Sequence, residues 1–408
     1  MFYHDMHTGL VTRLWQAGFI VVSLDQRGWG DSGGRVDLMN PEKEVRDVST
    51  VLTWALTHLP VLWREGRPMV GAVGGSYGGG FQTLLAFLDP RVQAITPWVT
   101  WYDLRYSLAP NGVVKSLHAD ALYTGGTLYG RMEPWITQAF LEAQAGRLSR
   151  ETMDRLYKRS PARFYEDGRI PHADAFFVQG APDTLFNLTE GYWNLRCFQE
   201  RGRDARLWVV PNGHLIPEIQ GPPASSFCGP LDPFEAVVAW YREKLKGEAL
   251  AASRIPRVCA DLGGGTAYQG EDLPFGGKAF TLPPQSFFLP SPQGLFAPLW
   301  TPEEDVAVVG LPQVELELEA IGPDPILFLG LAVGKEGRFK ALNDQFLPLR
   351  GKGSYRGLLP GVSGLVKGGE TLGLLLTGFR PEYFSHGSRL PALAHLQGRV
   401  EVPVVTGR

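Results

Sequence analysis

Met69-Val70-Gly71-Ala72-Val73-Gly74-Gly75-Ser76-Tyr77-Gly78-Gly79-Gly80-Phe81-Gln82-Thr83-Leu84-Leu85-Ala86 is the stretch that decides how this chain is read. An apolar run of strand length enters Gly-Gly-Ser-Tyr-Gly, and a helix-forming run leaves it. G-x-S-x-G between a strand and a helix is the signature of a nucleophile elbow, a strained turn that exposes a serine hydroxyl at the end of a sheet. Glycines on either side let the two backbones pass closely, and the positive end of the helix faces the reacting oxygen. Gly30-Asp31-Ser32-Gly33-Gly34 matches the same letters but fails on context. Ser32 lies several residues past its strand, and polar Arg35 and Asp37 stand where an apolar helix should begin.

Working outward, the first half of the chain alternates strand and helix. Phe19-Ile20-Val21-Val22-Ser23-Leu24 reads as a buried parallel strand. Residues 41–58 read as a helix, with Pro41 and Glu42 in its first turn and Val45, Val48, Leu52 and Ala55 as its apolar stripe. Further strands are expected at 94–99, 175–178 and 205–210, and helices at 189–201 and 233–246. Residues 103–170 break this rhythm with helical stretches at 134–145 and 149–158, and read as a helical cap inserted over the site. Beyond Gly247 the period changes. Val314-Glu315-Leu316-Glu317-Leu318-Glu319 alternates strictly, as a strand with one wet face does. With strands at 326–333, 371–377 and 400–405 between Gly/Pro turns, it predicts an all-β sandwich. The expected organisation is therefore an α/β, doubly wound, mostly parallel sheet over 1–248, with a cap at 103–170, followed by a β sandwich over 249–408.

Composition bounds the rest. The 408 residues are 44% hydrophobic and 20% charged, ordinary for a globular protein with a sizeable core. A net charge of −3 gives no reason to expect nucleic acid or a polyanionic surface. Apolar runs such as 326–333 are strand-sized, so no membrane association is expected. Cys197, Cys228 and Cys259 are an odd set without short spacings and read as reduced, incidental thiols. The start of the chain shows no basic region followed by an apolar core, so cytoplasm is the default address. No metal site or cofactor is implied, and an oligomer is compatible with everything above.

A serine hydroxyl needs a base, and the base needs a partner that fixes its tautomer. On an elbow fold the chain order is serine, acid, histidine. His214 follows the strand Leu207-Trp208-Val209-Val210 through Pro211-Asn212-Gly213, where the base belongs. Asp183 follows the strand ending at Val178 and is the expected acid, with Asp103 as the rival after the preceding strand. Either could instead cap a helix or turn. The Tyr77 N–H is one expected oxyanion donor. A second should come from a loop after an earlier strand. Residues 1–17 read as the end of that loop and its helix, so the chain reads as truncated at its N-terminus, with the neighbourhood of Tyr3 as a substitute donor. Arg27, in Asp25-Gln26-Arg27-Gly28-Trp29-Gly30, is expected to be a buried cation tying loops near the site. Trp98, Trp101 and Tyr102 either line an acyl or aromatic pocket or belong to the core.

The order Asp25-x-Arg27-Gly28-x-Gly30-x-Ser32, Gly-Gly-Ser76-Tyr-Gly-Gly, Asp183, Gly213-His214 and then a β sandwich resembles the Xaa-Pro dipeptidyl-peptidase and cocaine-esterase family over nearly the whole chain. The resemblance implies an α/β-hydrolase domain, a helical cap and a C-terminal jelly roll. It further implies Ser76 as nucleophile, His214 as base, Asp183 as its acid and Tyr77 as an oxyanion donor. The implied reaction is acyl transfer to water, on a small ester or short peptide. Esterase-type chemistry is the lead, with dipeptidyl-peptidase or acylase activity as the alternative. A catalytically silent module, binding through its β sandwich, is the rival from another class.

Overall fold

In the computed structural model the described residues are 9–214, 228, 232–291, 294–387 and 390–405. A helix α1 (Leu10–Gln16) is followed by α2 (Arg46–His58), entered through one wider turn at Pro41–Val45. The Asn40 side chain caps that turn by accepting the Glu42 N–H at 2.9 Å. Val45, Val48, Leu52 and Ala55 are all buried, so the stripe read from the sequence is the face that packs. Strand β1 (Val70–Gly75), helix α3 (Tyr77–Leu88) and strand β2 (Val92–Trp98) form the elbow unit.

Residues 103–170 then fold into α4 (Leu104–Leu108), α5 (Ser116–Tyr129), α6 (Pro134–Gln144), α7 (Arg150–Tyr157) and α8 (Pro161–Glu166). The sheet resumes with β3 (Asp174–Gly180), α9 (Leu188–Gln199), β4 (Ala205–Val210) and α10 (Pro233–Tyr241). A capping box at Asp232 starts α10, the Asp232 carboxylate accepting the Phe234 and Glu235 N–H groups at 2.7 and 3.0 Å. Strands β5 (Val258–Gly263) and β6 (Thr266–Gly270) complete a six-stranded sheet in the order β1-β2-β3-β4-β5-β6, parallel except for the last pair. One face carries the core that includes Leu84, Ile95, Phe177 and Phe198; on the other, Phe176 and Trp208 cluster with Leu14 of α1 and Trp240 of α10. Layers on both faces of a mostly parallel sheet are the expected α/β-hydrolase architecture.

From Lys278 onward, the ladders between described strands are all antiparallel. Strands β7 (Lys278–Leu289), β8 (Leu295–Trp300), β9 (Val306–Gly310), β10 (Gln313–Ile321), β11 (Ile326–Lys335), β12 (Arg338–Ala341), β13 (Leu347–Arg350), β14 (Gly353–Leu358), β15 (Val362–Val366), β16 (Thr371–Thr377), β17 (Ala392–Val402) and β18 (Val404–Val405) make three sheets around a Leu/Val core. On β10, Val314, Leu316 and Leu318 are buried and Glu315, Glu317 and Glu319 exposed, as the alternation predicts.

Three expectations are corrected here. Phe19–Leu24 is not a buried strand: it carries no ladder to any described strand, and Ile20 and Val22 are 54% and 42% exposed. Its composition has β character, but strand structure needs a partner, and among the described residues β1 is the outermost strand on that side. The parallel sheet also does not stop at residue 248, since β5 pairs with β4 and β6 pairs with β5. The chain does leave a helical segment at Gly247, in a left-handed conformation, but it returns to the same sheet before entering the sandwich. Finally, Cys228 and Cys259 form a disulfide with a Cα–Cα distance of 5.9 Å, leaving Cys197 as a buried free thiol pushed up to about 12 by burial. A sequence separation of 31 carries no sign of that pairing. Among the described residues no helix is long and apolar enough to cross a membrane.

Candidate active site

The elbow is built by close backbone approach. Ser76 adopts φ 53° and ψ −115°, a conformation L-residues avoid, between the last residue of β1 and the first of α3. Its backbone is held on both sides: Ser76 N–H donates to Trp98 O at 2.9 Å, and Ser76 O accepts from Gly79 and Gly80 N–H at 2.9 and 3.0 Å. A Cβ on Gly74 would sit 3.1 Å from the Gly78 backbone, so strand and helix cross where side chains do not fit. Buried Gln82 closes the unit. Its amide donates to Gly74 O and Gly78 O at 3.0 and 2.9 Å, and its oxygen accepts Thr96 N–H at 2.9 Å.

His214 reaches this serine from the loop after β4. Its Nε2 lies 2.9 Å from Ser76 Oγ, and its Nδ1 lies 2.9 Å from Asp183 Oδ2. A carboxylate only accepts, so Nδ1 carries the hydrogen and Nε2 is left to accept the serine proton. Asp183 is fully buried, and its other oxygen accepts the Leu185 and Phe186 N–H groups at 2.9 Å each. One carboxylate oxygen is thus fixed by its own loop while the other faces the imidazole. Phe186 packs edge-on against the ring at 5.1 Å.

Asp103 is elsewhere. It caps α4 by accepting Arg105 N–H at 2.9 Å and pairs with the Arg105 guanidinium at 2.6 Å. Tyr77 opens α3, and N–H groups of a first helical turn have no intrahelical acceptor, which leaves its amide free to serve an oxyanion. The Tyr77 hydroxyl donates to buried Glu44 at 2.7 Å and accepts Met39 N–H at 3.2 Å. Burial raises the Glu44 carboxyl, and burial together with Glu44 raises the phenol far higher, so the proton stays on the tyrosine. The expected contribution of Tyr3 lies outside the described residues.

The three aromatics proposed for a pocket are core or packing residues. Trp98 stacks on Phe234 at 5.3 Å beneath α10. Trp101 is 3% exposed, donates to Arg159 O at 2.9 Å and fills the space a Gly80 side chain would take. Tyr102 packs beside Trp193 of α9. Arg27 is only half-buried, holding Asp47 of α2 through two bonds of 2.6 and 2.8 Å. Sequence reasoning missed Gln82, Glu44 and the cap residue His118. The His118 ring is wholly buried beside Thr184 at 3.2 Å, and its pKa falls to about 3 through burial, then the charges of Lys115 and His214.

Comparison with known proteins agrees with this architecture. A CocE/NonD family hydrolase from Staphylococcus aureus superposes with a TM-score of 0.68 at 15% identity, over 93% of this chain and 79% of that one. An aminopeptidase from a marine sediment Thaumarchaeota archaeon gives 0.67 at 14%, over 97% and 87%. An alpha-amino acid ester hydrolase gives 0.60 at 12%, over 93% and 84%. At these identities the likeness is one of fold. An uncharacterized 31.7 kDa protein of the traX-finO intergenic region of Escherichia coli is 30% identical over 88 residues, and this match spans 22% of the chain and 29% of that relative's length. The model of the X-Pro dipeptidyl-peptidase S15 family matches residues 3–216, just over half of the chain. The chain therefore belongs to the X-Pro dipeptidyl-peptidase S15 family, and with it to the serine hydrolases.

Proposed function

We propose that the protein hydrolyses a small acyl substrate, an ester in preference to a peptide, through Ser76, His214 and Asp183. The observation that carries this is the unbroken line from Ser76 Oγ through His214 to Asp183, with both contacts at 2.9 Å, on a strained elbow. In the first step Ser76 Oγ bonds to the substrate carbonyl carbon and its proton passes to His214 Nε2. The carbonyl oxygen becomes an anion facing the Tyr77 N–H. Collapse breaks the bond to the leaving group, which takes the proton from His214. Water, deprotonated by the same nitrogen, then attacks the acyl-serine; the bond from the acyl carbon to Ser76 Oγ breaks, Oγ recovers the proton from His214, and the acid leaves.

The preference for esters rests on the carboxylates. A dipeptidyl-peptidase must hold a substrate ammonium with a buried acid. Among the described residues, the buried acids around the elbow are engaged by protein groups: Asp183 by His214, Glu44 by Tyr77, Asp37 by Arg159, and Glu190 by Ser107 and two backbone N–H groups. A cytoplasmic address remains the sequence-based reading, and the Cys228–Cys259 bond weighs against it, because disulfides persist in oxidising compartments.

A fluorophosphonate probe followed by peptide mass mapping tests the assignment. The adduct is expected on Ser76, and Ser76→Ala is expected to lower turnover of a p-nitrophenyl ester by at least about four orders of magnitude. Turnover surviving Ser76→Ala would refute the nucleophile. Faster release of p-nitroanilide from an Xaa-Pro anilide than of p-nitrophenol from the ester would overturn the ester preference alone.

A further inference from the structure

The loop that carries Asp183, Ala181-Pro182-Asp183-Thr184-Leu185-Phe186-Asn187 between β3 and α9, is irregular and buried apart from half-buried Pro182, so its carbonyls need donors from outside the sheet ladder. Gln179 of β3 donates to Phe186 O, and the donors to four further carbonyls come from two other parts of the chain. Lys115, 3% exposed in the cap, donates from Nζ to Thr184 O and Leu185 O at 2.7 and 2.9 Å. Gln345, 3% exposed in the β sandwich, donates from Nε2 to Ala181 O and Asp183 O at 3.0 Å each. The second contact lands on the backbone of the residue that orients His214.

The turn that presents Gln345 is itself built to one geometry. Asn343 and Asp344, just before it, hold positive φ of 51° and 57°. Asn343 is clamped to Ser363, accepting its N–H at 2.6 Å and donating to its carbonyl at 2.9 Å. Asp344 is pinned by Arg380 at 2.7 Å. A Cβ on Gly330 of β11 would come within 2.5 Å of Gln345 O, so the strand beneath leaves room only for this path. Backbone strain of this kind persists where the surroundings over-determine it.

We propose that Gln345 of the β sandwich is a positioning residue for the hydrolytic reaction, setting the Asp183 loop so that the carboxylate meets His214 Nδ1. The inference rests on the Ser76–His214–Asp183 reading above. Gln345 acts through the loop backbone, its amide donating to the Ala181 and Asp183 carbonyls. Its amide is neutral, so it orients the loop without adding charge to the site. Removing it leaves the Ala181 and Asp183 carbonyls buried without this donor. The loop must then shift to find partners, and the carboxylate shifts with it. This gives the sandwich a catalytic role that separate domains would not require.

The test uses the full chain and the fluorophosphonate probe, with inactivation measured from pH 5 to 9 in wild type, Gln345→Met and Ser76→Ala. Methionine keeps the length and volume of glutamine and removes both donors. The expected result is a fall in kinact of about 10- to 100-fold, the scale of a misplaced catalytic group, with KI within about twofold. The acidic limb should also move to lower pH, because His214 loses the carboxylate that stabilises its protonated form. A merely structural role would lower the melting temperature and leave the limb in place. Where methionine prevents folding, Gln345→Asn, shorter by one methylene, is expected to shift kinact and the limb in the same direction by less. Wild-type kinact and limb in folded Gln345→Met, with Ser76→Ala unlabelled, would overturn the role of Gln345 and leave the nucleophile standing. Labelling that persists at another residue in Ser76→Ala would remove both.

Discussion

His118 shows how one buried side chain ties stability to pH at the edge of the candidate site. Its folded-state pKa of about 3 lies below the ordinary value of 6.5, with burial as the largest cause. A depressed histidine binds its proton more weakly folded than unfolded. Its contribution is therefore fully present above the unfolded value and lost as pH falls from about 6.5 toward 3. The slope it adds approaches about 1.4 kcal/mol per pH unit inside that window. His118→Gln should flatten the loss of stability between pH 6 and pH 4 relative to wild type, measured by urea unfolding at each pH. Parallel curves for the two proteins would show that the ring protonates without cost. The same scale separates what sequence can and cannot reveal about the site. Ser76, Asp183 and His214 are legible because chain order and strand ends constrain them. Gln82, Glu44 and Gln345 are not. Each is one polar letter, with acceptors or donors 4 to 164 residues away, and nothing local marks it as buried.

Among the elements, α3 shows where the elbow tolerates change. Gly78, Gly79 and Gly80 look interchangeable in sequence. In the fold, a Cβ on Gly78 meets nothing within 4 Å, whereas one on Gly80 would lie 2.0 Å from the Trp101 ring. Trp101 cannot retreat, being buried and bonded to Arg159 O at 2.9 Å. Gly80→Ala should therefore destabilise by about 1–3 kcal/mol or more, the range for overpacked cores. Gly78→Ala should be neutral or gain up to about 1 kcal/mol of helix propensity. Thermal denaturation of the two variants decides it, and equal melting temperatures would mean that the α3 contact with Trp101 yields. Elements were legible where their own periodicity carries them, as with the stripe of α2 and the alternation of β10. The reading fails at 19–24, whose β-rich letters are correct for a strand but whose ladder depends on a neighbour. It fails again at 258–270, where nothing local says which sheet a short strand joins.

For the molecule as a whole, the pattern changes near Gly247 from α/β to an all-β sandwich with its own core, and the packing joins the two by more than a linker. Val309 and Leu311 of the sandwich segment belong to the same buried cluster as Ile95 and Phe177 of the parallel sheet. Polar contacts cross as well. Gln345 reaches Ala181 and Asp183, Gly361 N–H donates to Thr189 Oγ1 at 3.0 Å, Asn111 to Pro348 O at 2.9 Å, and His386 Nε2 lies 2.6 Å from Ala143 O. Independent domains keep separate cores and few crossing contacts; here the sandwich has its own Leu/Val core but lends Val309 and Leu311 to the core of the sheet, and polar contacts tie it to both cap and sheet. Unfolding one part would expose buried apolar surface and strip hydrogen bonds from the next, so partial unfolding is costly. Calorimetry of the full chain should accordingly give one transition, with calorimetric and van't Hoff enthalpies close to equal. Val309→Ala, which opens space at the shared core, should lower that single midpoint without splitting it, at a cost of about 1–3 kcal/mol. Two resolved transitions, only one of them moved by Val309→Ala, would show that the sandwich folds by itself and that its hold on the Asp183 loop is dispensable to the fold.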